Sequence, residues 1–159
     1  MNSPQSDPRI LGYLGRALSL ELSAVQQYTT QARLAAAWGL ARPAERLRTE
    51  AMEEMGHVER VIARMLALGA APNASVLRPV GLGRDLRELL QQDRALEGEL
   101  VRLYTDATRY CVSGGDHDGR LFFETLLEEE REHGRELDRW LDSLQRPEAV
   151  AAQPERATF

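Results

Sequence analysis

The sequence predicts an all-α protein, a four-helix bundle with a long crossover between helices two and three and a short C-terminal segment. Four stretches carry apolar residues at alternating steps of four and three, which is the stripe of a helix with one buried face. Glycine- or proline-bearing breaks separate the stretches, and each stretch holds a carboxylate where its neighbours along the stripe are core residues. At 159 residues with 43% hydrophobic and 28% charged side chains, the chain suits a single domain over 1–159. The bundle takes about 8–145 of it and the tail 146–159.

Asp7 is placed to cap the first helix, with Pro8 at its first position, and the inward stripe runs Leu14, Leu18, Glu21, Val25, Tyr28, Ala32. Gly39 to Pro43 makes a tight break. Helix two then gives Leu47, Ala51, Glu54, Val58, Val61, Met65 and Leu68 until Gly69 ends it. From Ala70 to Gly83, Pro72, Asn73 and Pro79 discourage helix. Those 14 residues at ~3.3 Å each reach ~46 Å, about the ~42 Å of a 28-residue helix, so the connection can cross the whole bundle. Helix three, from about Arg84, carries Leu86, Leu90, Asp93, Glu97, Leu100, Tyr104, Ala107 and Cys111. Ser113-Gly114-Gly115 closes it and Asp116 can cap helix four, whose stripe is Phe123, Leu126, Glu130, His133, Leu137, Trp140 and Leu144. Pro147 and Pro154 leave the tail room for about one or two helical turns.

Composition excludes several classes of function. A net charge of −5 gives no reason to expect nucleic acid or a membrane surface, and no apolar run reaches the length of a membrane helix. The first residues carry no signal-peptide pattern. One cysteine, Cys111, excludes an intramolecular disulfide and a Cys-x-x-Cys site; it reads as a small buried hydrophobe in a reducing, cytoplasmic compartment. All 20 basic residues are arginine, so Schiff-base chemistry and a lysine-bearing phosphate loop are absent. Trp38, Trp140, Phe122, Phe123 and Tyr104 read as packing, and His117 as solvent-exposed.

The chemistry lies in Glu54-Met55-Gly56-His57 and its echo Glu130-Arg131-Glu132-His133. A glutamate and a histidine three apart on a helix face one groove and can hold a metal ion. Glu21 lies 33 residues before Glu54 and Glu97 lies 33 before Glu130, so the halves repeat at an offset of 76. The same offset carries His57 onto His133 and Tyr28 onto Tyr104. In each antiparallel hairpin the paired glutamates are equidistant from the turn and so lie side by side. Four carboxylates and two imidazoles inside an apolar seam cannot remain charged and unpaired, and two divalent cations would neutralise the glutamates. Oxygen-rich ligation with one imidazole per ion suits iron or manganese rather than structural zinc. One glutamate from each of two helices plus Glu-x-x-His from the other two is a known ligand set of di-iron and di-manganese bundles.

Leu20 to Tyr28 (Leu-Glu-Leu-Ser-Ala-Val-Gln-Gln-Tyr), Trp38-Gly39-Leu40, Glu53 to His57, Pro72-Asn73, Asp93 to Glu97 and Glu130 to His133 together resemble bacterioferritin, over about residues 10–144. The resemblance implies a ferritin-like bundle and an iron-storage protein whose subunits form a cage of twenty-four. It implies a ferroxidase: ferrous iron is oxidised at an intrasubunit di-iron centre by dioxygen or hydrogen peroxide and deposited as ferric mineral. By residue, Glu54 and Glu130 would bridge the irons, Glu21 with His57 and Glu97 with His133 would be terminal ligands, and Tyr28 would stand beside the centre as an electron donor. Met55, pointing sideways along a ridge with Arg48, Met52 and Glu59, would ligate a haem b shared across a two-fold axis for iron release, with a ferredoxin-type reductant. Thr49 replaces a histidine that some members use on the cavity wall, so Glu50 and Glu53 would form a partial inner-surface iron site. Pro147 and Pro154 fall where the family has its pore-lining fifth helix, which leaves open a homo-oligomer or a mixed cage with a second subunit type. The alternatives on the same bundle are a manganese catalase-like or other non-storage di-metal oxidase, and a structural, haem-bearing cage subunit.

Overall fold

The start of the first helix is fixed by Asp7, whose carboxylate accepts the Arg9 backbone N–H at 2.8 Å while Pro8 takes the first helical position. In the computed structural model, which describes residues 6–145, this helix is α1, Pro8–Ala37. It is followed by α2 (Ala41–Ala67), α3 (Leu86–Gly114) and α4 (His117–Gln145). At the end of α2 Gly69 takes φ 77°, and after α3 Gly115 takes φ 70°, a left-handed turn that a Cβ would strain. Asp85 caps α3 by accepting the Glu88 N–H at 2.9 Å, and Glu88 reaches back to the Arg84 N–H at 2.8 Å. Asp116 accepts the Gly119 N–H at 2.8 Å at the start of α4, as its position implies.

The first break is shorter than expected. Pro43 lies inside the first turn of α2, where its missing N–H would have had no helical partner. Trp38, expected to pack, is the C-cap of α1 and 37% exposed, because the buried stripe ends at Ala35. Val25 is only half-buried; Ala24 takes the fully buried position, since α1 packs against both α2 and α3 and its stripe broadens. Trp140, Phe123 and Cys111 are buried, and His117 is exposed, as expected. The expected C-terminal segment with Pro147 and Pro154 lies outside the described residues.

The crossover is pinned along α1. Ser19 accepts the Val76 N–H at 3.0 Å, Ser23 accepts the Arg78 N–H at 3.0 Å, and Gln27 accepts the Gly81 N–H at 2.9 Å. Gln31 Nε2 donates to the Gly81 carbonyl at 2.8 Å. These four side chains, spaced four apart, form one row on α1 that meets the crossover's backbone polar groups. The crossover therefore runs in the direction of α1 and returns the chain to the same end, so that α3 is antiparallel to α1 and α4 to α2. The apolar interior falls into two clusters. One holds Leu14, Leu18, Val61, Met65, Leu100 and Phe123; the other holds Ala32, Leu47, Leu90, Leu137 and Trp140. Between them lies a layer of buried polar side chains. No helix among the described residues is long and apolar enough to cross a membrane.

Candidate dinuclear metal centre

Each helix contributes to that polar layer because its stripe holds a glutamate in register with the others. Glu21, Glu54 and Glu130 have no solvent exposure and Glu97 almost none, while His57 and His133 are buried with only an edge reaching solvent. Their atoms fall into two sets. Glu21, Glu54, His57 and Glu130 form one, Glu54, Glu97, Glu130 and His133 the other, and within each set the nearest ligand atoms lie within 4.8 Å of one another. Glu54 and Glu130 belong to both sets. The six candidate ligands linked by the offset of 76 are thus brought together, and the two shared glutamates are the two read as bridges.

The imidazoles turn Nδ1 inward. His57 Nδ1 lies 2.7 Å from Glu130 Oε1, 3.0 Å from Glu54 Oε2 and 3.5 Å from Glu21 Oε1. His133 Nδ1 lies 2.8 Å from Glu54 Oε1 and 3.2 Å from Glu130 Oε2. Several of these approaches lack hydrogen-bond geometry: Glu54 Oε1, both Glu130 oxygens, Glu21 Oε2, Glu97 Oε2 and His133 Nδ1 are buried with no hydrogen-bond partner. Buried lone pairs that converge without pairing are costly unless a cation takes them up, so the donor set fits two metal ions of oxygen-preferring character.

The outer glutamates are held by tyrosines in a crossed pair. Tyr28 on α1 donates to Glu97 Oε1 on α3 at 2.6 Å, and Tyr104 on α3 donates to Glu21 Oε1 on α1 at 2.5 Å. Tyr104, expected to be packing alone, is therefore the structural twin of Tyr28. Burial, together with the adjacent Glu97 for Tyr28 and Glu21 for Tyr104, holds both phenols protonated well above the ordinary tyrosine range. The Nε2 atoms point outward to a second crossed pair, His57 to Glu129 Oε2 at 3.0 Å and His133 to Glu53 Oε2 at 3.0 Å. Carboxylates at this position orient a metal-ligating imidazole and raise its basicity. Glu129 was not foreseen, although the offset of 76 maps Glu53 onto it.

Electrostatics follow from crowding. Burial and neighbouring carboxylates push Glu54 and Glu130 up, and push Glu97 to about 7. Burial opposes charging of His133, but the close approach of the Glu54 carboxylate and the charges of Glu54, Glu97 and Glu50 outweigh it and raise the imidazole to about 10. His57 is raised likewise, through Glu130, Glu21 and Glu54. Glu50, buried, is pushed to about 7, and with exposed Glu53 it forms a third group of candidate ligands that includes His133. Met55 does not approach this layer; it is 41% exposed on the outer side of α2, next to Met52 at 71%.

A ferritin-like domain model matches residues 11–146. The bacterioferritin of Rhodobacter capsulatus is 40% identical over 129 residues, covering 81% of this chain and 80% of that protein. This chain belongs to the bacterioferritins. The bacterioferritin of Brucella melitensis is 33% identical over 140 residues, 88% of this chain and 87% of its own. The fold agrees with the family as well: a crystal structure of the Rhodobacter capsulatus bacterioferritin superposes with a TM-score of 0.85 at 35% identity, covering 97% of this chain and 99% of that one. That protein was seen with a metal-free dinuclear site and its haem iron in a crystallographic special position. The bacterioferritins are an iron-storage family, and the four-helix ferritin-like bundle inferred from the sequence is the family's fold.

Proposed function

We propose that this bacterioferritin is a ferroxidase that takes ferrous iron as substrate between α1, α2, α3 and α4 and passes ferric iron to storage in a cage of twenty-four subunits. The carrying observation is the pair of ligand sets that share Glu54 and Glu130 in the buried layer. Glu54 and Glu130 bridge the two ions; Glu21 with His57 holds one and Glu97 with His133 the other. Two ferrous ions give up one electron each. Hydrogen peroxide accepting both, with two protons, leaves as two waters; dioxygen is the other acceptor of this class. The phenol of Tyr28 orients Glu97 and is placed to lend an electron at the His133 half. Glu50 and Glu53 act as a partial inner-surface site that delivers iron to or from His133.

Met55 fits one half of a haem b site, because its soft thioether stands exposed beside Met52 on the outer side of α2, where a second copy of the chain can present the same atom. Haem bound there supplies electron transfer for release of stored iron, with a ferredoxin-type protein as the reductant class. Glu130→Ala should abolish rapid iron oxidation, read by stopped-flow absorbance; oxidation at the parental rate would overturn the ferroxidase reading. Met55→Leu should remove the haem Soret band and leave helicity unchanged, whereas retained haem would overturn the ligand assignment. Native mass with iron quantified in the same sample tests the cage.

A further inference from the structure

The two halves of the centre are related by the offset of 76, and that symmetry is broken at three charged positions around it. Arg60 on α2 has Glu136 as its counterpart on α4; Glu50 on α2 has Leu126; Asp93 on α3 has Ala17 on α1. The first two differences in charge act in the same direction, and Asp93 adds a buried acceptor oxygen on that same side. Around the His57 half, Arg60 Nη1 binds Glu129 Oε2 at 2.5 Å, so the carboxylate that holds His57 Nε2 is neutralised from behind. Around the His133 half, Glu53 holds Nε2 with no arginine among the described residues paired behind it, while buried Glu50 and half-buried Glu136 stand close enough to act on each other's charge. Asp93, fully buried, lies one turn from Glu97 on α3, and its Oδ2 has no hydrogen-bond partner. Arg94, which lies against Gly134 on this side, is taken up by Asp138 at 2.8 Å. Both halves open on one cavity of about 310 Å³ lined by Glu53, Gly56, His57, Arg60, Glu129 and His133.

We infer that the half-sites are unequal by design of this charge pattern: a divalent cation occupies the His133–Glu97 half first, and Arg60 is the residue that holds the His57–Glu21 half to second place. The inference rests on the dinuclear reading above. Arg60 touches no ligand atom and acts through Glu129, so it is a positioning residue for loading order. With its charge balanced, Glu129 polarises His57 less than Glu53 polarises His133, and the guanidinium repels an arriving cation at the nearer half.

The test is equilibrium titration of metal-stripped full-length protein with Co²⁺ alone, followed by its visible d–d absorption and by dialysis for stoichiometry. Two ions per chain should bind in steps separated by about ten-fold or more, the size of one charge acting at this range. His133→Ala should delete the tighter step and His57→Ala the weaker. Arg60→Gln should tighten the weaker step and Glu136→Gln weaken the tighter one, so each narrows the separation; both residues are partly exposed, so these variants decide the matter even where a histidine variant does not fold. Two steps of equal affinity, or a separation untouched by both Arg60→Gln and Glu136→Gln, would overturn the loading order while leaving the dinuclear reading in place. Binding of fewer than two ions by the parent protein would overturn both.

Discussion

Tyr104 and Tyr28 show what a single hydroxyl does in this layer. Each satisfies one oxygen of an otherwise crowded glutamate, so removing it strands a buried carboxylate oxygen. Tyr104→Phe should lower the stability of the metal-free protein by ~1–3 kcal/mol in urea unfolding, with much of that recovered on adding Co²⁺, which takes up the freed oxygen. Asp93 makes a different prediction. Burial raises its carboxyl to about 8, against the hydrogen bond from Gln27, so the folded state binds a proton that the unfolded state has already lost above about pH 4. The contribution of Asp93 to the stability of the metal-free protein is therefore complete below about pH 4, falls as pH rises from about 4 to 8 and is flat beyond. Asp93→Asn should flatten that slope by up to ~1.4 kcal/mol per pH unit, measured by chemical unfolding in chelator at several pH values. The metal ligands were legible as residues because the glutamates interrupt apolar stripes. The roles of Tyr104, Glu129 and Arg60 were not, since a tyrosine in a stripe looks the same whether or not its hydroxyl has a partner on another helix, and a surface arginine or glutamate gives no sign of the imidazole behind it.

The helices themselves were readable nearly to their ends, because caps and left-handed glycines are local signals. Asp7, Asp116, Gly69 and Gly115 all do what their positions imply. Pro43 and Trp38 were misplaced because a proline tolerated in a first helical turn and an aromatic at a helix end carry no periodic information. The crossover was legible only as length. Its path depends on the row Ser19, Ser23, Gln27 and Gln31, polar residues that would otherwise read as one more wetted face of α1. Gly81 fits there because a Cβ would stand 2.9 Å from Gln27 Oε1 and 3.0 Å from Gln92 Cβ. Gly81→Val should detach this part of the crossover, seen as faster amide hydrogen exchange over residues 76–83, while exchange in the α2 and α4 amides changes little. Protection equal to the parent over those residues would refute the row as the anchor.

For the molecule as a whole, ligands that must shed protons make metal binding and acidity compete. With Glu97 at about 7 and His133 at about 10, binding of Co²⁺ releases protons, and its affinity should fall as pH drops below about 10 and more steeply below about 7, measurable by titration in weak buffer. Ions that bind only the folded chain raise its melting temperature; at about 100 times Kd the gain is ~2.7 kcal/mol. Glu54→Ala, which removes a residue common to both sets, should erase most of that gain.

The split interior has a further consequence, for cooperativity. Two small apolar cores are joined through a middle layer of crowded carboxylates and imidazoles, tied across the helices by the two tyrosine–glutamate hydrogen bonds and the histidine–glutamate contacts, so in chelator the coupling between the ends of the bundle is weakest there. Metal ions convert that layer from the weakest seam into a cross-link between all four helices. The bound metals are then what makes the subunit unfold as one body, and native-state hydrogen exchange should show the ends opening independently in chelator and together once two ions are bound.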